Sequence, residues 1–111
     1  MNNEPWYGVK LVFRHTNLDV KVSGSSVYEE RVILVNAASE DEAISLAESE
    51  ANEYAKYLSG CEYLDFASCF HTYEDKIIHL SEVYSVMRES SLAAEEYIDK
   101  FYDTGSERER K

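Results

Sequence analysis

Apolar residues alternate with other residue types from Trp6 to His15, where Tyr7, Val9, Leu11 and Phe13 interleave with Gly8, Lys10 and Arg14. A period of two predicts a β-strand with one buried face. A second strand is predicted over Tyr28–Asn36, in which Val32-Ile33-Leu34-Val35 is apolar on both sides, the pattern of a central strand. Between them Leu18, Val20 and Val22 alternate until Gly24-Ser25-Ser26 forces a turn.

The period then changes to three and four. Ser39-Glu40-Asp41-Glu42 matches a capping box, with three acids placed at the positive end of the helix dipole. Ile44, Ala47, Ala51, Tyr54, Ala55 and Leu58 form the apolar stripe, and Gly60 supplies the stop. Beyond it, Glu62–Tyr73 and Ile77–Met87 read as a hairpin about Glu74-Asp75-Lys76. That register sets Leu64 opposite Val86, Phe66 opposite Tyr84, Phe70 opposite Leu80 and Thr72 opposite Ile78, one apolar face. The other face pairs Asp65 with Ser85, Ala67 with Val83, Cys69 with Ser81, His71 with His79 and Tyr73 with Ile77. A second helix is predicted from about Ser91 to Asp103, with Ala94, Tyr97, Ile98 and Phe101 inward and Gly105 ending it.

The order is therefore β-β-α-β-β-α. The expected α+β fold is an antiparallel four-stranded sheet with two helices packed on one face and the other face open. One domain over residues 6–105 is followed by a charged flexible tail over residues 106–111. A chain of 111 residues, 44% hydrophobic, can bury one core but not two. The N-terminus lacks the basic and apolar regions of a secretory signal, and no apolar run approaches the ~20 residues needed to span a bilayer. Cys61 and Cys69, eight residues apart in one strand, would stand about 26 Å apart, too far for a disulfide. Reduced thiols and the missing signal point to a cytoplasmic protein.

Charge narrows the partners. The chain carries 22 acids against 11 Lys and Arg, for a net charge of -11, so a nucleic-acid partner is not expected. Residues 1–36 are balanced, four acids against four bases, and the whole excess lies beyond them. The first helix alone holds six acids against Lys56. Such a surface either keeps the chain soluble or steers a basic protein onto it. Nine tyrosines and one tryptophan supply the residue types that dominate interface hot spots, with Tyr63, Tyr73 and Trp6 on the expected open face.

Catalytic signatures are few. His71 and His79, as cross-strand partners, would place their Cβ atoms ~5 Å apart, with Cys69 beside them. Three such ligands make a minimal metal site, and two half-exposed histidines on an open face are the simpler reading. Cys69, His71 and Asp65 contain the residue types of a nucleophile, base and orienting acid. Alternation along one strand separates them by ~7 Å per step, against the ~3 Å that relay requires. The chain has no P-loop, no G-x-G-x-x-G and no H-E-x-x-H. No catalytic residue, cofactor or metal ligand is assigned, and the expected protein is not an enzyme.

Trp6-Tyr7-x-Val9-Lys10-Leu11, Tyr28-Glu29-Glu30, Ala38-Ser39-Glu40-Asp41-Glu42-Ala43 and Glu82-Val83-Tyr84-Ser85 together resemble a bacterial family of small domains of unknown function. The likeness spans about residues 6–88 and implies no catalytic residue. In size, charge and single-domain build the chain is also similar to immunity proteins of bacterial toxin systems, such as contact-dependent growth inhibition. That likeness implies binding to a toxin domain, often a basic nuclease. The expected function is accordingly an acidic protein-binding domain that neutralises a basic toxin. Glu48, Glu53, Tyr63, Asp65, Tyr73, Glu74, Asp75 and Glu82 are the expected contact residues. A metal-binding or enzymatic domain around Cys69, His71 and His79, and an accessory module that dimerises through its open sheet, remain as alternatives. The oligomeric state is left open.

Overall fold

A computed structural model describes residues 4–72, 76–85 and 87–105. Strand β1 (Trp6–His15) is central, flanked by β2 (Val27–Asn36) and β3 (Cys61–His71), both antiparallel to it. Helix α1 (Glu40–Tyr57) crosses one face of the sheet, and a short helix α2 (Ala94–Phe101) follows. The order is β-β-α-β-α. Among the described residues three strands, not four, make the sheet.

The core is built where β1 meets α1. Tyr7, Val9, Leu11 and Phe13 are buried on β1, joined by Val35, Ala37 and Tyr63. From the helix come Ala43, Ala47 and Ala51, one every four residues, and all three are fully buried. Methyl-sized side chains along one stripe let α1 lie close on the larger residues of β1. The predicted cap forms: Ser39 Oγ accepts from the Glu42 amide at 3.1 Å, and Glu42 reaches back to the Ala38 amide at 3.2 Å. Gly60 turns the chain into β3 with φ +72°, a conformation that disfavours side chains. Its carbonyl accepts from the Thr16 amide at 2.8 Å, tying the end of α1 to the end of β1.

The predicted fourth strand is replaced by a turn and a crossing segment. Ile78 O accepts from the Ser81 amide at 3.0 Å, and the Ile78 amide donates to Ser81 Oγ at 2.8 Å. Leu80 sits between them with φ +70°, outside the extended region a strand requires. The chain then crosses the sheet face opposite α1 instead of running along the edge of β3. Tyr84 stacks on Phe70 with ring centroids 4.5 Å apart, and its hydroxyl accepts from Lys10 Nζ at 2.9 Å. The expected pairing of Phe66 with Tyr84 is thereby lost, and Leu80, expected opposite Phe70, is 87% exposed. Tyr73, Glu74, Asp75 and Val86 of the expected hairpin lie outside the described residues, as does the expected tail at 106–111.

Two further expectations are corrected. Among the described residues β2 is an edge strand paired with β1 alone, and Val32 and Leu34 stay exposed. α2 packs against neither the sheet nor α1, so only one helix covers the face. The radius of gyration, 16.5 Å, exceeds the ~13 Å of a compact chain this long.

Candidate functional site

Among the described residues, side chains with chemistry converge at the end of the sheet under α1. Glu29 and Arg31 share the parity of Ile33 and Val35 on β2, so the register that buries those apolar residues also points this acid and base toward the helix. His15 ends β1 on the same face. From α1 come Glu50 and Tyr54, one helical turn apart. His15 Nε2 lies 2.7 Å from Glu29 Oε1, while the Tyr54 hydroxyl donates to the two Glu29 oxygens at 3.0 and 2.9 Å. Arg31 donates to both oxygens of Glu50, at 2.5 and 3.1 Å, with its guanidinium carbon 4.0 Å from the centre of the Tyr54 ring. The planar fork suits that double role of bidentate bonding and stacking.

Cys61 adds a thiol to this cluster, with Sγ 3.9 Å from His15 Nε2. The group resembles a nucleophile, base and acid, but the geometry differs from a relay. One imidazole nitrogen faces both Glu29 and the thiol, whereas a relay uses the two nitrogens for separate partners. Burial raises the Cys61 pKa, and the Glu29 carboxylate raises it further. Both effects hold the sulfur as a thiol, opposite to the activation a nucleophile needs. The arrangement is suited to clamping β1, β2, β3 and α1 together.

The sequence-predicted residues scatter. Ala67, Cys69 and His71 stand opposite Leu11, Val9 and Tyr7, which places them on the helix side and not on an open face. The ring of His71 packs edge-on against Tyr7 at 5.2 Å. Burial and then Glu40 raise the Cys69 pKa. His79 lies in the exposed turn, so it does not pair with His71 across a ladder. Asp65 is exposed within an irregularity of β3, where residues 64–66 stand against Val12 alone and its φ is +58°. No group of three metal-ligating side chains suited to an ion occurs among the described residues.

Of the expected contact residues, Tyr63 is buried at 8% exposure and donates to Glu48 Oε2 at 2.5 Å, so this pair joins β3 to α1 from within. Burial, with the Glu48 carboxylate second, pushes the Tyr63 hydroxyl well above its usual range. Glu53, Asp65 and Glu82 are exposed. Glu53 has Lys56 at 3.6 Å. Tyr73, Glu74 and Asp75 lie outside the described residues.

The cluster of Arg31, Glu50, Tyr54, Glu29 and His15 is absent from the sequence-based prediction. Its signal was the odd-numbered parity of β2, which put two charges on the apolar side. A second feature, Arg88 among the rings of α2, had no signal, because its geometry depends on an irregular segment.

No helix among the described residues is long and apolar enough to cross a membrane. The family model of a domain of unknown function, DUF4288, matches residues 6–97. The chain belongs to that family. No curated protein and no solved structure matches it.

Proposed function

We propose that this domain is a non-catalytic binding module presenting an anionic surface to a basic protein, most concretely a toxin domain neutralised by direct contact. The observation carrying this reading is the orientation of α1. Its alanine stripe faces the sheet, which sends Asp41 and Glu53 to solvent; Glu40 is exposed in the first turn, and Lys56 is the one base on the helix. Asp65 and Glu82 extend the acidic character beyond it, on a chain of net charge -11. Fields of this kind raise association rates with cationic partners. The clamping of His15, Glu29 and Cys61 supports the same reading, since these reactive residue types are engaged within the fold. Glu48 and Tyr63 act here as internal supports of that surface.

The test captures partners on the immobilised full chain, then measures association of the captured protein at low and high ionic strength. A basic partner is expected, with association slowed on the order of tenfold by Glu40→Lys, Asp41→Lys, Glu53→Lys and Asp65→Lys combined. The difference is expected to shrink at high salt. Association indifferent to both salt and charge reversal overturns the reading.

A further inference from the structure

The C-terminal helix packs on no other element of the fold, yet it is not without a ligand. Tyr97 and Phe101, one turn apart, hold their ring centroids at 4.7 Å, and Tyr97 lies 5.9 Å from Tyr102. Into this cluster the preceding segment inserts Arg88. Its Nη1 donates to the Tyr102 hydroxyl at 3.0 Å and reaches the Tyr97 hydroxyl at 3.5 Å, while its guanidinium carbon lies 5.3 Å from the centre of Phe101. Lys100 Nζ lies 5.4 Å from the same ring. The same segment carries Glu95, Glu96, Asp99 and Asp103, with Glu95 and Asp99 on the side of Ala94 and Ile98. The Arg88 cation also lowers the Tyr97 pKa, through its hydrogen bond first.

We propose that the aromatic face of α2 is a guanidinium-binding surface, occupied in cis by Arg88 and open by exchange to an arginine side chain of a basic protein partner. The occupant follows from what is already seated there. Two phenol oxygens accept while the Phe101 face attracts the cation, a combination of hydrogen bonding and flat stacking that a planar guanidinium satisfies better than an ammonium. Four carboxylates within nine residues favour a cationic partner over an anionic or purely apolar one. Arg88 and the helix are exposed, so the internal bond competes with solvent and can be displaced. An intramolecular competitor reduces apparent affinity by the fraction of the face it covers. This inference rests on the proposed binding of a basic protein and names the side chain recognised.

The test titrates the full chain with a blocked glycine-spaced peptide of three arginines, and with its lysine counterpart, following aromatic NMR signals. The arginine peptide is expected to shift Tyr97, Phe101 and Tyr102. Arg88→Ala is expected to tighten it about two- to fivefold, with the lysine peptide weaker by a similar factor. Phe101→Leu in the Arg88→Ala chain is expected to abolish that gain. Unmoved ring signals, equal affinity for the two peptides, or no gain in Arg88→Ala with α2 intact overturns the proposal. Should Arg88→Ala unravel α2, seen in the Ile98 and Phe101 amide signals, Arg88→Lys gives the same readout. It keeps the stem and charge but lacks the fork, so about a twofold gain is expected and an unchanged affinity overturns the proposal. A failure here, with α1 charge reversal still slowing the captured partner, leaves the broader function standing. The converse pair of results leaves the α2 surface standing without α1.

Discussion

Tyr63 of β3 donates its hydroxyl hydrogen to Glu48 of α1 at 2.5 Å, joining the strand to the helix next to the phenylalanine at the centre of the core. Tyr63→Phe keeps the ring and removes the bond, and is expected to lower stability by about 1 kcal/mol in urea unfolding. The pH dependence has a definite sign. The folded chain holds the Tyr63 proton more tightly than the unfolded chain does. Its contribution is therefore fully present below the ordinary tyrosine range near pH ~10 and is lost as pH rises above it. Tyr63→Phe should remove that part of the alkaline decline, visible as the difference between the two unfolding profiles.

Gly8 lies where the crossing segment meets the sheet. A Cβ there would fall 2.1 Å from a carbon of the Phe70 ring and 2.8 Å from the Val83 carbonyl oxygen. Gly8→Ala is expected to cost about 1–3 kcal/mol and to separate residues 82–84 from the face. Loss of hydrogen-exchange protection and of the Tyr84 ring shift would report it. Preserved Tyr84 packing at unchanged stability would count against the description.

Leu80 calls for the opposite change. Its positive φ and 87% exposure mean that the side chain brings strain and little burial. Leu80→Gly is expected to raise stability by about 1 kcal/mol in denaturant titration.

Cys61 and Cys69 are free thiols, and burial raises the pKa of both. Raised values leave less thiolate at neutral pH, so alkylation is expected to be slower than that of a free cysteine and to accelerate only at more alkaline pH. Rates of iodoacetamide modification in native and unfolded chain, followed by mass spectrometry, measure the difference.

Regular periodicity made β1, β2 and α1 legible, down to the Ser39 cap, because burial of one face and local capping chemistry are written in nearby residues. The region after β3 was not. Its alternation from Ile77 to Met87 matched a strand, but a turn at Leu80 and contact of Tyr84 with Phe70 and Lys10 prevailed, and those partners are distant in sequence. The face of β3 was also inverted. Leu64, Phe66 and Phe70 look more apolar than Ala67, Cys69 and His71, yet pairing with the buried side of β1 selected the smaller set. The contact surface suffered most from this. Tyr63, read as an exposed aromatic, became a core residue whose hydroxyl occupies Glu48.

Ala43, Ala47 and Ala51 occupy the sheet-facing side of α1, so the opposite half of that helix is excused from holding the molecule together. Exposed charge and architecture are thus written on different residues of one segment. A descendant of this chain could trade the charges at Asp41 or Glu53 for others without re-solving its interior. A change at any of the three methyl positions would shift the whole helix, carrying every contact on its outer surface with it.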